Sequence, residues 1–151
     1  MCSWIKTRDE LIYWSGNTFL GKKFGPETFR SHLKTSGIFP FASLDENGEL
    51  LAYGEIVRKI KEVRVTLCRI IVHPDKRAQG MGKKFSQSLI EKSAIFKPCE
   101  CIRLNVLSDN KPAISCYSAL GFKTIGLVPK ARRIGPKQLD LLIMSKTVGR
   151  A

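Results

Sequence analysis

The spacing of apolar and polar residues predicts two short helices at the start of the chain. Thr7 followed three residues later by Glu10 is the capping-box pattern, in which each side chain binds the other residue's backbone N–H. Phe29 and Leu33 lie four residues apart, on one face of a helix that Pro26 would begin. Both helices come before any predicted strand.

Three strands follow without an intervening helix. Residues 39–60 contain two strand-like runs joined by DENGE, in which Asn47-Gly48 is a turn signal for a hairpin. The next run, EVRVTLCRIIV at residues 62–72, is most apolar in its last third. Because strands and helices do not alternate here, the chain is not a plain doubly wound sheet.

The next part of the chain does alternate between helix and strand. A helix is predicted over residues 82–96, and CIRLNVL at residues 101–107 alternates in polarity as a strand does. A short helix then has clear boundary residues, since Asn110 suits the N-cap, Pro112 the first turn and Gly121 the C-terminal stop.

Two closing strands complete the predicted order. They are expected near residues 122–127 and 138–146, on either side of a basic loop, VPKARRIGPKQ, at residues 128–138. This order of elements predicts a mixed α/β sheet. The chain has 151 residues, of which 43% are hydrophobic, and it contains no repeat or linker-like segment. We therefore expect a single domain over residues 1–151.

Targeting signals and cysteine patterns add little. No stretch approaches the roughly 20 apolar residues of a membrane helix, and the start of the chain does not resemble a secretion signal. We therefore expect a cytoplasmic protein without a membrane partner. The five cysteines are odd in number and irregularly spaced, and His32 and His73 stand alone, so we expect neither a disulfide framework nor a metal site.

The net charge of the chain is strongly positive. It is +13, from 26 Lys and Arg against 13 Asp and Glu. Such a charge attracts phosphates, nucleotides, nucleic acid or acidic proteins. The basic residues are scattered, and no RNP, KH or helix-turn-helix pattern is present. A basic nucleic-acid-binding module is therefore the alternative from a different functional class.

Two glycines one residue apart lie where the third strand leads into the predicted helix. The backbone N–H groups at a helix start are unpaired, and glycine allows a phosphate to approach them closely. Gly80 and Gly82 lie among the basic residues Arg77, Lys83 and Lys84. This segment matches neither a Walker loop nor a dinucleotide fingerprint. It is a candidate pyrophosphate site, and a tight glycine-rich turn is the alternative.

The glycine segment belongs to a pair of motifs that resemble a known family. RAQGMG at residues 77–82, after IIVHP at residues 70–74, resembles the [Q/R]-x-x-G-x-[G/A] signature of the GNAT superfamily of acyl-CoA-dependent N-acyltransferases. LNVLSDNKPAISCYSALGF at residues 104–122 is similar to that family's second signature. The predicted order of elements is similar to the family's as well.

The resemblance implies both a fold and an activity. The fold would be a mixed, mostly antiparallel sheet flanked by helices, with a central pair of parallel strands, residues 64–73 and 101–107, that splay apart. The activity would be transfer of an acetyl group from acetyl-CoA to a primary amine by direct attack in a ternary complex. The acceptor would be an unidentified small molecule or peptide, and the protein a monomer or homodimer.

The resemblance also implies an acetyl-CoA site. Backbone groups of the third strand would hold the pantetheine arm, whereas their side chains would pack in the core in either case. The glycine segment would hold the pyrophosphate, and Asn110 would contact the cofactor arm or simply cap its helix. The implied cofactor-binding residues are Ile70, Ile71, Val72, Arg77, Ala78, Gln79, Gly80, Met81, Gly82, Lys83 and Asn110.

Tyr117 matches the family tyrosine that protonates the departing CoA thiolate. A phenol with an ordinary pKa near 10 is protonated at neutral pH and is able to donate to a thiolate. Because Ile114 lies three residues earlier on the same helix face, a purely structural role for Tyr117 is the alternative.

The sequence does not single out a general base. Some relatives, such as ribosomal-protein N-acetyltransferases, have a glutamate directly after the leucine that Leu104 matches, whereas this chain has Asn105. This departure argues against a ribosomal-protein activity of that kind, and it leaves an inactive acyl-CoA-binding domain as a further alternative. Glu55, Glu62 and His73 are candidate bases, and deprotonation through water is equally open.

In this superfamily the acceptor pocket is usually formed by the first two helices and the late hairpin. The corresponding segments here are residues 14–29 and 128–138, in which Trp14, Phe19 and Phe24 would form an apolar wall or pack in the core. Both segments are also basic, through Lys22, Lys23, Lys130, Arg132 and Arg133. If these charges face the pocket, they repel a polycation and favour an anionic amine.

Overall fold

The structure, a computed structural model, describes residues 1–149. Its helices are α1 (Arg8–Ser15), α2 (Pro26–His32), α3 (Met81–Lys92) and α4 (Lys111–Ala119). Its strands are β1 (Ile38–Leu44), β2 (Leu50–Val57), β3 (Arg64–Val72), β4 (Cys101–Leu107), β5 (Lys123–Ile134) and β6 (Lys137–Thr147). Short 3-10 turns lie at Cys2–Trp4, Pro74–Lys76 and Ser93–Ile95. The predicted order of helices and strands is confirmed.

All six strands belong to one sheet, in the order β1-β2-β3-β4-β6-β5. The central pair, β3 and β4, is parallel, and every other neighbouring pair is antiparallel. This arrangement confirms the predicted fold class, an α/β fold with a mixed, mostly antiparallel sheet. None of the helices in residues 1–149 has the length and apolar character that crossing a membrane requires.

The two parallel strands separate before they end. They pair from Arg64 opposite Cys101 to Leu67 opposite Leu104, although both strands continue beyond these residues. Just past the last pair, the register between β2 and β3 shifts, and Arg69 has a left-handed φ of 51°. A bulge of this kind bends a strand and increases its twist. The gap between β3 and β4 therefore opens at the bulge.

Apolar residues of the central strands form the main core. Ile102, Leu104 and Val106 are 0%, 2% and 6% exposed, which confirms that they share the buried face of β4. Phe85 and Leu89 of α3 are also buried in this cluster. The helix predicted over residues 82–96 is thus confirmed, as α3 followed by a 3-10 turn.

The predicted helix boundaries agree with the observed caps. The Thr7 side chain accepts a hydrogen bond from the Glu10 N–H at 3.1 Å, and the Glu10 carboxylate accepts one from the Thr7 N–H at 3.1 Å. The Asn110 side chain accepts from the Ala113 N–H at 3.3 Å at the start of α4. Gly121, with φ +88°, ends that helix.

The basic loop predicted over residues 128–138 is wrong in extent. β5 runs to Ile134 and β6 begins at Lys137, so only two residues form the turn. Ile134 is buried in a small cluster with Ile12 of α1 and Leu139 of β6. Burial of Ile134 against these residues keeps its backbone in the strand. β5 therefore continues through a run whose charges resemble those of a loop.

Gly54 allows α3 to pack closely on the sheet. A Cβ at this position would lie 2.9 Å from Phe85 Cε1 and 3.0 Å from Leu89 Cδ1, both in the core. We expect Gly54→Ala to lower the free energy of unfolding by about 1–3 kcal/mol, as overpacked cores do. Denaturant unfolding measures this change.

Gly126→Ala is the matched control, because a Cβ there would meet Ile143 at an ordinary 3.6 Å. We expect its stability to be unchanged or to rise by up to about 1 kcal/mol, since alanine restricts the unfolded chain. Equal effects of the two substitutions would contradict the packing argument for Gly54.

Candidate active site

Two clefts meet at the gap between β3 and β4. The wide cleft, of about 860 Å³, lies between the segment that follows β3 and helix α4. The narrow cleft, of about 410 Å³, lies between the end of α1 and the separated parts of β3 and β4. Six residues line both: Tyr13, Trp14, Ile70, Asn110, Ala113 and Tyr117. A molecule in one cleft is therefore able to reach a molecule in the other at these side chains.

The glycine segment presents a row of backbone N–H groups. In the part of the chain that the structure describes, the N–H groups of residues 78–83 have no protein acceptor, whereas Lys84 N–H donates to the Gly80 carbonyl at 3.0 Å. Ala78 and Gly80 have left-handed φ values of 57° and 78°. Alternation of this kind turns successive N–H groups toward one concave anion site, here at the positive end of α3.

The space beside Gly80 is open. A Cβ built there would meet no atom within 4 Å, and one at Gly82 would meet only Val72 Cγ2, at 3.8 Å. The backbone at both positions is therefore accessible to a ligand, which fits the requirement of a pyrophosphate.

Most, though not all, of the side chains predicted to bind the cofactor reach the wide cleft. Arg77, Ala78, Gly80, Gly82 and Lys83 line it. The Arg77 Nε donates to the Val72 carbonyl at 3.1 Å, which ties the segment to the end of β3.

Two residues of the same segment have side chains that point elsewhere. Gln79 Nε2 donates back to the Asp75 carbonyl at 2.9 Å. Met81 lines a separate pocket beside β1. For these two residues, only the backbone N–H is left to bind a ligand in the wide cleft.

The residues predicted to hold the pantetheine arm lie beyond the point where β3 leaves β4. Ile70, Ile71 and Val72 all line the wide cleft. Ile71 pairs with Tyr53 and Val72 with Ala52 on β2. Because alternate residues of a strand direct their backbone groups to opposite edges, part of this stretch has its main chain turned toward the gap.

Tyr117 lies on α4 where the two clefts meet. Burial raises the pKa of its phenol above the ordinary value, and nearby Cys116 and Cys68 add to the shift. The phenol is therefore fully protonated at neutral pH. Asn110 lines both clefts as well, and its cap to Ala113 uses only its side-chain oxygen, so the amide nitrogen stays available.

The three residues predicted as candidate bases line neither cleft. Glu62 is paired with Arg64 at the start of β3, with 3.1 Å between its carboxylate and Arg64 Nε. The His73 Nδ1 accepts from the Asp75 N–H at 3.2 Å, and its ring packs edge-on against Trp4. The Glu55 side chain is fully buried behind the bulge.

Glu55 is the centre of a buried hydrogen-bond network that was not predicted. Its carboxylate accepts from Tyr53 Oη at 2.8 Å and from both Nε, at 2.7 Å, and Nη2 of Arg69. His32 Nε2 lies 3.0 Å from the same carboxylate. Burial, together with the Glu55 charge, raises the pKa of Tyr53. For Arg69, burial acts to lower the pKa, but the bonds to Glu55 outweigh it and the pKa is raised.

Arg69 connects this network to the clefts. It is the bulge residue of β3, it lines the narrow cleft, and its carbonyl accepts a hydrogen bond from Trp14 Nε1 at 2.7 Å. Trp14 lines both clefts, whereas Phe19 and Phe24 pack behind it with ring centroids 5.7 Å away. The only sign of Arg69's role in the sequence is a charge within the apolar run LCRIIV.

Sequence reasoning also missed Tyr13, which lines both clefts. Its hydroxyl donates to the Asp109 carboxylate at 2.5 Å, and this bond raises the pKa of Tyr13 to about 12.

Among the basic residues of the two predicted acceptor segments, Arg132 lines the narrow cleft, together with Asn105. The others, Lys22, Lys23, Lys130 and Arg133, line neither cleft.

The Glu55 network predicts a large effect on stability. Glu55→Gln leaves the buried Arg69 guanidinium without its counter-charge, so we expect a loss of about 3–5 kcal/mol in the free energy of unfolding. Glu62→Gln breaks the partly exposed pair with Arg64 and is expected to cost about 0–1 kcal/mol. Denaturant unfolding of both variants tests the difference, and a loss of no more than about 1 kcal/mol in Glu55→Gln would contradict the role given to the buried pair.

In residues 1–149, no group of three or more His, Cys, Asp or Glu side chains is arranged to hold a metal ion.

Comparisons with known proteins agree with this architecture. The solved structure of the ribosomal-protein-S18-alanine N-acetyltransferase from Escherichia coli has a TM-score of 0.72 at 22% identity, covering 95% of this chain and 89% of that one. Mutant forms of the spermidine/spermine N-acetyltransferase SpeG from Vibrio cholerae have a TM-score of 0.70 at 19% identity, covering 80% and 73%. At these identities the likeness establishes the fold.

Sequence relatives match shorter parts. UPF0157 protein YqkA of Bacillus subtilis (strain 168) is 32% identical over 92 residues, which is 61% of this chain and 25% of that protein. Thialysine N-epsilon-acetyltransferase of Bos taurus is 44% identical over 52 residues, or 34% and 30% of the two chains. The chain thus spans between a quarter and a half of the length of the curated relatives that it matches.

The model of the acetyltransferase (GNAT) family matches residues 8–122, well over half of the chain. That range includes the glycine segment, the β3–β4 gap and Tyr117. The chain belongs to the acetyltransferase (GNAT) family.

Proposed function

We propose that the protein transfers an acetyl group from acetyl-CoA to a primary amine of a small-molecule or peptide acceptor, by direct attack in a ternary complex. The observation that carries this proposal is the meeting of two clefts at Tyr117, in the gap between β3 and β4. Membership of the acetyltransferase family supports the reaction class. We expect a cytoplasmic monomer or homodimer.

Acetyl-CoA would occupy the wide cleft. Its pyrophosphate oxygens would accept hydrogen bonds from the free backbone N–H groups of residues 78–83, and Arg77 and Lys83 would add positive charge. The pantetheine arm would lie along residues 70–72 and carry the acetyl group toward the junction. The open space beside Gly80 supports this assignment, because a side chain there would occupy the site of the phosphates.

The acceptor amine would attack from the narrow cleft. Its nitrogen forms a bond to the thioester carbonyl carbon, and the carbonyl oxygen takes the negative charge. A backbone N–H of residues 70–72 that faces the gap would stabilise that oxyanion. The carbon–sulfur bond then breaks, and the Tyr117 hydroxyl donates its proton to the departing thiolate. The products are an amide and free CoA, and the Tyr117 phenolate regains a proton from solvent.

The amine must lose a proton during the reaction. The described lining of the narrow cleft contains no Asp, Glu or His. Glu55, Glu62 and His73 lie outside both clefts, so each would need a relay to act as a base. We infer that the amine loses its proton to solvent within the cleft.

Cofactor binding is tested by a charge placed at the start of α3. Gly82→Glu introduces a carboxylate where the pyrophosphate would bind, so we expect the affinity for acetyl-CoA to fall at least about 100-fold by calorimetry. An acidic residue in the first turn favours the helix, so the thermal midpoint should not fall. Ser36→Glu adds the same charge at an exposed position outside both clefts and should bind as the wild type does.

Failure of the wild-type protein to bind acetyl-CoA would refute the cofactor assignment. Affinity for single-stranded RNA or DNA that acetyl-CoA does not displace would then favour the nucleic-acid-binding alternative.

Tyr117→Phe tests the general acid. We expect kcat to fall about 100- to 10,000-fold with acetyl-CoA affinity retained, because only the proton donor is removed. Tyr13→Phe is the matched control in the same clefts, since the Tyr13 hydroxyl is already engaged by Asp109 and should matter little to turnover.

Because burial raises the pKa of Tyr117, we expect no fall in the wild-type kcat from deprotonation of Tyr117 between pH 7 and about pH 10. Unchanged kcat in Tyr117→Phe would exclude this role, and absent turnover in the wild type despite binding would indicate an inactive acyl-CoA-binding domain.

A further inference from the structure

The guanidinium of Arg132 lies in the narrow cleft with part of its hydrogen-bonding capacity unused. Its Nη1 donates to the Ala131 carbonyl at 2.7 Å. Its Nε is shielded from solvent and has no acceptor among the described residues. Arg103 Nε has the same property, but Arg103 lines neither cleft. Arg132 is therefore a cleft-lining cation whose remaining donors call for an acceptor.

No opposite charge faces Arg132 from the described lining of its own cleft. The other charged residue there is Arg69, whose guanidinium is paired with the Glu55 carboxylate. The acidic residues Glu10 and Asp109 line the wide cleft and not the narrow one. The narrow cleft thus has a net positive charge that resides on Arg132.

The Nε and Nη2 edge of Arg132 is turned against Gly16 and is the part of the guanidinium whose hydrogen bonds are unused. With Nη1 engaged, Nε and Nη2 remain, and two neighbouring N–H groups of a guanidinium match the two oxygens of a carboxylate. Gly16, at the end of α1, lies against this edge, where a Cβ would come within 3.2 Å of Nη2 and 3.4 Å of Nε. Pairing of both groups with a carboxylate therefore requires the end of the flexible side chain to turn away from Gly16 and into the cleft that it already lines.

Building on the proposed function, we propose that the acceptor is a primary amine that also carries a carboxylate, which Arg132 binds in the narrow cleft. A polycationic amine would place its second charge near an uncompensated guanidinium and would be rejected. A carboxylate instead supplies both the missing counter-charge and the missing hydrogen-bond acceptor.

Acetyl transfer to matched pairs of amines tests this assignment. The panel contains the common L-amino acids, β-alanine and 4-aminobutanoate, each beside its carboxamide, together with spermidine and O-phosphoethanolamine. With acetyl-CoA saturating, we expect at least one carboxylate to exceed its carboxamide by about 10- to 100-fold in kcat/KM, the usual effect of a charge-assisted hydrogen bond. Spermidine should be a poor acceptor.

Variants of Arg132 separate binding from folding. Arg132→Gln should reduce the preference for carboxylate over carboxamide to within about threefold, mainly through KM, while turnover of the carboxamide persists. Arg132→Lys keeps the charge without the paired N–H groups, so it should retain part of the preference. Arg133→Gln removes the same charge one residue along the strand, outside both clefts, and should keep the full preference.

The outcomes distinguish this proposal from the one on which it rests. Acetylation of carboxamides or spermidine at least as fast as of carboxylates would refute the carboxylate site and leave the transferase function intact. Acetylation of O-phosphoethanolamine alone would assign Arg132 to a phosphate and also refute it. A preference that survives Arg132→Gln would place recognition elsewhere. If no amine in the panel is acetylated although acetyl-CoA binds, both proposals fail.

Discussion

The carboxylate of Glu55 and the guanidinium of Arg69 are paired inside the protein, where neither is fully hydrated. Removal of two charges from water is unfavourable unless each finds several partners, and Tyr53 and His32 complete the set on the Glu55 side. This requirement fixes Arg69 in a left-handed conformation that an ordinary strand does not adopt. The bulge that results bends β3, and the gap beside β4 opens just beyond the last residue pair, Leu67 with Leu104.

The gap then has two ends of different chemistry. Toward α3, it exposes unpaired N–H groups and basic side chains, which suit phosphate oxygens. Toward α1, it is lined by Trp14, which hydrogen-bonds to the bulge carbonyl itself, and by Arg132 from the last hairpin. Tyr117 lies between them, buried enough to stay protonated. The same distortion of β3 therefore separates the two clefts and leaves Tyr117 among the residues that line both.

Features that depend on near neighbours in sequence were predictable, and those that depend on register were not. The Thr7 cap and the alternation in β4 are local, so each was correctly predicted. Arg69 and Glu55 are 14 residues apart and meet only because β2 and β3 pair in a shifted register, which no local pattern reveals. The length of β5 was likewise hidden, because the burial of Ile134 depends on α1 and β6.

The net charge of +13 acts differently at long and at short range. Across the whole surface, scattered lysines and arginines create a field that attracts anions in general, whatever their shape. Within the narrow cleft, only Arg132 remains uncompensated among the described lining residues, because Arg69 is neutralised by Glu55. If Arg132 binds the acceptor as proposed, steering and recognition rest on different residues. Substitution of a surface lysine would slow the encounter with any anionic molecule equally, whereas substitution of Arg132 would change which amine is accepted once it arrives.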